Sequence, residues 1–459
     1  MDNLRTSLAD LSLAIGSREV SPLEITRKTL AEIERRNPEL NAFRLVLADE
    51  AEESARQAEN DIAAGAYRGP LHGVPVAVKD LMDMRGTTTP AGSKVLADRV
   101  ASEDSEVVAR LKRAGAIIVG KTHMPEFAYS PASNNEHYGP VHNPWNLEHD
   151  TGGSSSGSGA AVAAGLAFGA TGSDTGGSIR MPSSMCGLVG LKATYGRVSA
   201  RGAQTLSWSL DHVGPMTRTV RDAALMLDVM AGYDPGDIRT RRVRAGGYTE
   251  SLEAGVVGMR VGRIVEDGWD DNATTPAVLN GVDRGVAALK EAGAVVVDLA
   301  LPEIRDLNEL NLTVLNLEAA AYYERYLSDR YDDIGQWTRD RLLGAYAFSP
   351  TTFIQVMQAR TRIRRRVERL LAQFDLIALP GVPHEAPPLG QVNLNGRYMG
   401  PFNTLGWPAI VVPTDLGEGN LPVSMQLVGK PWRERTLLRA ARTVERDGPW
   451  NGRTAPVLE

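Results

Sequence analysis

Two small-residue segments in the middle of the chain have the makings of a reactive site: "TGGSSSGSGAAVAAG" at 151–165 and "TGSDTGGSIRMPSSMCG" at 171–187. Glycine lets a backbone take positive φ and come close to a ligand, and successive N–H groups in such a turn form a nest for an anion. Beside a serine, that nest is an oxyanion hole, which stabilises the charge developing on a carbonyl oxygen during acyl transfer. Both segments run straight into apolar sequence, unlike flexible linkers. Upstream, "GVPVAVKD" at 73–80 reads as a short apolar strand ending in Lys79. Burial at a strand end disfavours the ammonium and leaves neutral amine to accept a proton. The same residue reads equally well as a snorkelling or salt-bridged lysine beside Asp80, and spacing alone does not choose.

Histidine is the more usual base for a serine. "GSSSG" at 153–157 fits the nucleophile-elbow pattern G-x-S-x-G centred on Ser155, a motif that must follow a strand; "HNPWNLEHDT" before it does not read as one. Only His212 and His384 lie downstream, and the seven histidines show no metal spacing of the H-E-x-x-H kind. A serine–lysine pairing is the other option. A second motif misleads. "GAIIVGKT" at 115–122 fits a phosphate-binding loop, yet its middle residues Ala116, Ile117, Ile118 and Val119 are strand formers and Pro125 follows. It reads as a helix-terminating Gly115 after "SEVVARLKRAG", then a buried strand.

Around these segments the chain alternates helices and strands. Ser21, Pro22 and Glu24 start a helix, "PLEITRKTLAEIERR", which Asn37-Pro38 should end. A second, "DEAEESARQAENDIAAG", closes at Gly65. After residue 215 come the helix "VRDAALMLDVMAG", the strand "GMRVGRIV", the helix "TPAVLNGVDRGVAALKEAG" and the strand "AVVVDL". Residues 306–373 read as mainly helical; the strands "DLIALP" and "LPVSMQLVG" and a final helix, "ERTLLRAARTVERDG", follow. This alternation implies an α/β fold with much of its sheet buried. No repeat or linker divides the chain, so residues 1–459 read as one domain. The basic run "RIRRRVER" at 362–369 is read as a solvated helix face, with Ile363, Val367 and Leu370 turned inward.

The bulk numbers exclude some classes. Fifty basic and 56 acidic residues give a formal charge of −6, which offers no general attraction to nucleic acid or anionic membrane. A single cysteine, Cys186, excludes an intramolecular disulfide and a multi-cysteine metal site. The N-terminus lacks a secretory pattern, and the longest apolar run, near "GAAVAAGLAFGA", is too short to span a bilayer. The expectation is a cytoplasmic enzyme.

"GVPVAVKD", "GGSSSGSGAAVAAG", "GSDTGGSIRMPSSMCGLVGLKATYGRVS" and "SLDHVGPMTRTVRDAA" together resemble the amidase signature family. The likeness extends from "SPLEIT" through "AGAIIVGKTHMPEFAYS" to "LPVSMQLVGKPWRERTLLRAARTVE". It implies a large mixed, mostly buried central β-sheet flanked by helices on both faces, with helices 1–65 packed on a catalytic core at about 70–230. It implies Ser178 as nucleophile, Ser154, after a cis peptide bond, as bridging serine, and Lys79 as general base. The backbone N–H groups of Thr175, Gly176, Gly177 and Ser178 would form the oxyanion hole. Ser155, Asp174 and Arg180 would support the network, and Phe127, Tyr129 and Trp208 are candidates to line the substrate pocket. No metal or organic cofactor is implied.

The activity implied is hydrolysis of a small or medium amide through an acyl-enzyme. Carbamate, urea-type and ester hydrolysis are alternatives on the same residues, as is the role of an A-type subunit in a glutamine amidotransferase. The fourth reading is a non-catalytic binding protein on this fold, which the presence of Lys79, Ser154 and Ser178 speaks against. Partners would be a small-molecule amide or carbamate, with a homodimer allowed and no nucleic acid or membrane. Three departures bear on specificity. Ser156 stands where the family commonly has glycine, and Pro125 where an acid is usual. In "MGPFNTLGWPAIVVP" the acidic residue that grips a free amino acid is not evident, which argues against a tRNA amidotransferase.

Overall fold

The computed structural model describes residues 3–269, 271, 273–391, 396–448, 450 and 452–458. Its strands are β1 (Phe43–Val46), β2 (Pro75–Lys79), β3 (Ile117–Thr122), β4 (His142–Asn143), β5 (Asn146–Asp150), β6 (Gly169–Asp174), β7 (Val189–Lys192), β8 (His212–Thr217), β9 (Arg260–Glu266), β10 (Val295–Ala300), β11 (Leu376–Pro380), β12 (Ala409–Leu416) and β13 (Pro422–Gly429). Eleven of them form one sheet in the order β1-β3-β2-β6-β8-β7-β12-β13-β11-β9-β10, and β4 and β5 form a separate ribbon. The sheet is mixed. β2 is parallel to both β3 and β6, while β6–β8, β7–β8 and β12–β13 are antiparallel.

Both faces of the sheet are covered, and strand alternation shows it directly. On β2, Val76 and Val78 join a cluster holding Leu111 and Leu227 from the helices Glu106–Arg113 and Val220–Met230. Ala77 between them joins a different cluster with Ile117, Ala160 and Ala161. A strand apolar on both sides has no polar face to give water, which is why "VPVAV" carries no alternation. Because β2 and β6 run parallel, their C-terminal ends open on one edge of the sheet, where ligand sites of α/β sheets gather.

Most elements fall where the sequence puts them. Gly115 takes φ +78° after its helix, and "IIVGKT" is a fully buried strand. The helix begun by Ser21 differs: it runs through Pro38 to Leu40 and ends at Asn41 in the left-handed region. Pro38 gives up only one last-turn bond there, and the Asn37 side chain accepts from Phe43 N at 2.7 Å, fixing the exit. "HNPWNLEHD" contains two short strands where none was expected. Asn143 turns them by accepting from Trp145 N at 3.0 Å, an Asx turn that a polar sequence hides. The helix Pro350–Leu371 buries Val367, with Ile363 and Leu370 partly buried against the same core. The arginines of the run 362–369 face solvent, Arg366 pairing Glu303 at 2.6 Å and Arg364 pairing Glu368 at 2.8 Å. Among the described residues no helix is long and apolar enough to cross a membrane.

Candidate active site

Lys79 ends β2 and is wholly buried. Its Nζ lies 2.9 Å from Ser154 Oγ, 3.0 Å from Ser155 Oγ and 2.9 Å from Ser173 Oγ. Among the described residues it pairs with no carboxylate. Burial drives its pKa well below 10.5, against an opposing pull from Asp174 and Asp211. The next residue along the chain, Asp80, pairs with Lys121 at 3.1 Å and with Arg44 Nη2 at 3.0 Å. Successive strand residues point to opposite faces, so Asp80 is not the partner that the sequence left open.

The three hydroxyls are not equivalent. Ser155 donates its own proton to Ser173 O at 3.3 Å, so toward Lys79 it accepts. It occupies the N-cap of the helix Ser156–Ala163 without capping an N–H, because its oxygen is held by the amine. Ser154 and Ser173 have Lys79 as their hydrogen-bond partner. A neutral amine has two N–H groups and one lone pair, so either of these hydroxyls can donate to it. A cis peptide joins Gly153 to Ser154. Gly153 has no room for a side chain: a Cβ would sit 2.5 Å from Ala132 O and 2.7 Å from Ser130 O.

At the end of β6, Asp174 organises the next loop. Its carboxylate accepts from Gly177 N at 2.9 Å, Ile179 N at 3.2 Å, Asn403 Nδ2 at 2.9 Å, and Arg180 Nε and Nη2 at 2.9 and 2.8 Å. Burial alone would raise its pKa; the Arg180 guanidinium outweighs that and holds it well below the usual carboxylate range. Arg180 also reaches Gln426 Oε1 and Asn403 Oδ1, each at 2.6 Å. The loop is thereby tied to β13 and to the helix Gly400–Leu405. Gly177 takes φ +131°, a glycine-favouring value. Its N–H is already engaged by Asp174, which removes it from the four donors expected for an anion. The N–H groups of Thr175, Gly176 and Ser178 donate to no described residue. Asn311 Nδ2 holds Thr175 O at 3.1 Å, and Thr175 Oγ1 donates to Asp211 at 2.7 Å. Burial raises the Asp211 pKa to about 6 against that hydrogen bond.

The two loops meet where Ser155 N donates to Ser178 O at 3.1 Å. Ser178 is half-buried and opens on a cavity of about 390 Å³ whose walls include Tyr129, Leu206, Asn311, Trp337 and Arg341. Of the three residues expected to line it, only Tyr129 does. Phe127 is buried instead, its ring stacked on Tyr323 with centroids 4.1 Å apart, because the turn Glu126–Ala128 sends it inward. Trp208 is 54% exposed and borders a different cavity with Arg239 and Trp432; Leu206 forms the wall in its place. His212 is buried and faces Lys192, Leu210 O and Asp174 O. No described serine hydroxyl contacts it, and Ser155 meets Lys79, so the elbow with a histidine base is not built.

Ser173, Asn403 and Gln426 are the participants that the sequence reading missed. Ser173 had a signal: it lies two residues before Thr175 in the serine-rich segment, on the face of β6 that Thr171 shares. Thr171 Oγ1 accepts the Lys79 N–H at 3.0 Å. Asn403 and Gln426 arrive from more than 220 residues away and carry no local signal.

Comparison with known proteins places these residues in company. The family model Amidase matches residues 24–438. Over 475 residues the chain is 36% identical to the A-type subunit of glutamyl-tRNA(Gln) amidotransferase from Carboxydothermus hydrogenoformans, covering 96% of this chain and 97% of that one. Its fold is similar to that in a structure of a vestigial protein complex bearing on the origins of an s-triazine catabolic enzyme, at TM-score 0.91 and 33% identity over 96% of this chain and 98% of that one. It is equally similar to a 6-aminohexanoate cyclic dimer hydrolase complexed with substrate, at TM-score 0.91 and 29% identity with both chains covered fully.

Proposed function

This chain belongs to the amidase family, and from that premise we propose that it hydrolyses a small or medium amide through an acyl-enzyme on Ser178. Neutral Lys79 takes the proton of Ser154 as Ser154 takes that of Ser178. The freed Ser178 oxygen attacks the carbonyl carbon, and the N–H groups of Thr175, Gly176 and Ser178 hold the oxyanion. The protons return through Ser154 to the leaving nitrogen as the C–N bond breaks. Water then attacks the ester by the reverse route, releasing the acid and restoring Ser178. Each oxyanion donor is worth on the order of 100-fold or more in rate.

One observation carries this reading: a buried amine without an acid partner, 2.9 Å from the Ser154 hydroxyl, beside a loop on which Ser178 opens to a cavity. Its pKa is lowered by burial, which is what a base working near neutrality requires. Carbamates, ureas and esters would use the same steps. A second reading is favoured by the relatives, A-type subunits of a tRNA-dependent amidotransferase at 36% identity: glutamine as the amide, with ammonia passed to partner subunits. A hydrolysis screen of amides, anilides, carbamates and esters on the isolated chain separates these. We expect turnover without partners and a covalent acyl mass on Ser178 that Ser178→Ala lacks. Undiminished turnover by Ser178→Ala would overturn the mechanism, and glutaminase activity that needs added subunits would establish the second reading.

A further inference from the structure

Among the described residues the cavity at Ser178 has one charged residue in its walls, Arg341 on the helix Gln336–Gly344. A guanidinium keeps its charge at any ordinary pH. Arg341 is largely withdrawn from water, and burial lowers its pKa against the pull of Tyr129. No carboxylate among the described residues pairs with it. It donates to Tyr129 O at 2.8 Å and to Asn316 Oδ1 at 3.2 Å, and lies 4.0 Å from the Tyr129 ring centroid. Those contacts leave N–H groups of its fork unengaged. Arg180 pairs with Asp174 and Arg197 with Glu434, while Arg218 is held by the backbone carbonyls of Thr6, Val162 and Ala167 away from this cavity. Burying a cation without an anion is costly, and here the unpaired arginine borders an open cavity. The acids of the neighbouring cavity do not supply the anion. Glu126, Glu136 and Asp150 line an adjoining cavity, where they accept the N–H groups of Gly335, Gln336 and Gly152.

We propose that Arg341 binds a carboxylate on the substrate, so that the cavity takes amides carrying one negative charge away from the scissile bond. This rests on the acyl-enzyme reading for its chemistry but not for its binding. The planar fork matches a carboxylate with two parallel hydrogen bonds. Tyr129 is the positioning residue: its ring faces the guanidinium, and its hydroxyl donates to the same Asn316 oxygen at 2.6 Å, holding that acceptor in place. Among the described residues the cavity walls offer no acid for an ammonium, so a free amino acid such as glutamine would satisfy only one of its two charges. The preferred class is therefore a dicarboxylic acid monoamide rather than an α-amino acid amide.

The test compares glutaric acid monoanilide with uncharged hexananilide. In the wild-type chain the ratio of kcat/KM, charged to neutral, is expected to be roughly 10- to 100-fold, the worth of a charge-assisted bond. Arg341→Met should collapse that ratio toward one, and Arg341→Lys should restore part of it. Calorimetry with the Ser178→Ala chain reads the same preference without turnover. A wild-type ratio near one, or a ratio that Arg341→Met leaves unchanged, overturns the proposal. Equal loss on both anilides overturns it too, because Arg341 would then only brace Tyr129. A chain that hydrolyses neither anilide, yet whose Ser178→Ala form binds the charged one more tightly, supports this proposal, and the acyl-enzyme reading then falls if the wider screen also yields no acyl mass on Ser178.

Discussion

Replacing Lys79 by methionine tests the neutral amine without any knowledge of the substrate. Methionine nearly matches the aliphatic stem in length, so the change removes an amine and its three contacts more than it removes volume. The sign of the pH effect follows from burial. Between its depressed folded pKa and 10.5, Lys79 is unprotonated in the fold and protonated in the unfolded chain. The unfolded state binds the extra proton there, so the stability of the wild type rises with pH across that window, by about 1.4 kcal/mol per pH unit. Below the folded pKa both states hold the proton and the cost of burying it is present in full. Lys79→Met has no such proton. Lys121 and Lys192 are also buried with lowered pKa values, but they are common to both proteins and cancel in the difference. The variant also strips Ser154 and Ser173 of their partner, at about 1–3 kcal/mol for each buried hydroxyl, a term that does not change with pH. Urea unfolding at about pH 7, 8 and 9 should therefore show the wild type gaining on the variant at each step. Turnover of any anilide found in the screen should fall by about 100- to 10,000-fold, the usual worth of a general base. Parallel stability profiles would mean that Lys79 keeps its proton throughout, and the relay from Ser178 would have nowhere to end.

Two further outcomes follow from the Asp174 loop. Arg180→Met should cost about 3–5 kcal/mol in urea unfolding, because it leaves the Asp174 carboxylate buried and uncompensated; a loss under about 1 kcal/mol would show that Asn403 and the loop N–H groups suffice. Gly177→Ala puts a Cβ at 2.6 Å from Met399 Sδ on a residue with φ +131°. Turnover should drop by about 100-fold while the far-ultraviolet circular dichroism stays native, and Met399→Ala in the same chain should recover only part of it, since the backbone strain persists. Full recovery would show that contact alone, not the φ of the turn, sets the loop.

Legibility followed locality. Helices with an N-cap serine and a regular apolar stripe, such as Pro22–Leu40, could be read directly, as could apolar strands such as β2, β3 and β11. β6, β7 and β8 could not, since "GATGSD", "VGLK" and "HVGPMT" are too rich in glycine and too poor in β-branched residues to announce strands. They are strands because helices cover both sides of a tightly packed sheet, a tertiary cause. The site divides the same way. Lys79, Ser154 and Ser178 sit in motifs that can be quoted, and the structure brings their loops together. The donor set of the proposed anion site could not be read, because engagement of the Gly177 N–H by Asp174 is a matter of turn geometry. Nor could the pocket walls, where Phe127 and Tyr129 are two residues apart yet only Tyr129 reaches the cavity.

The choice of hydroxyls around Lys79 has a physical reason. A carboxylate at hydrogen-bond distance would stabilise the ammonium and raise its pKa, leaving an amine that cannot accept a proton. Asp80 is next in the chain and Asp174 and Asp211 act on the amine through space, and each is engaged elsewhere. Strand alternation turns Asp80 away to Lys121 and Arg44. Arg180 takes the charge of Asp174 within a pair that is itself fully buried. Asp211 accepts from Thr175 Oγ1 and from the N–H groups of Leu206 and Ser207. What remains at the amine are three hydroxyls, which both donate and accept and so hold either protonation state. Ser155 is fixed as an acceptor by its bond to Ser173 O. That leaves Ser154, in the loop joined to Ser178, to face an amine whose proton content burial has made negotiable. The proposed relay requires this arrangement, in which the carboxylates are held away from the amine as firmly as the serines are held against it.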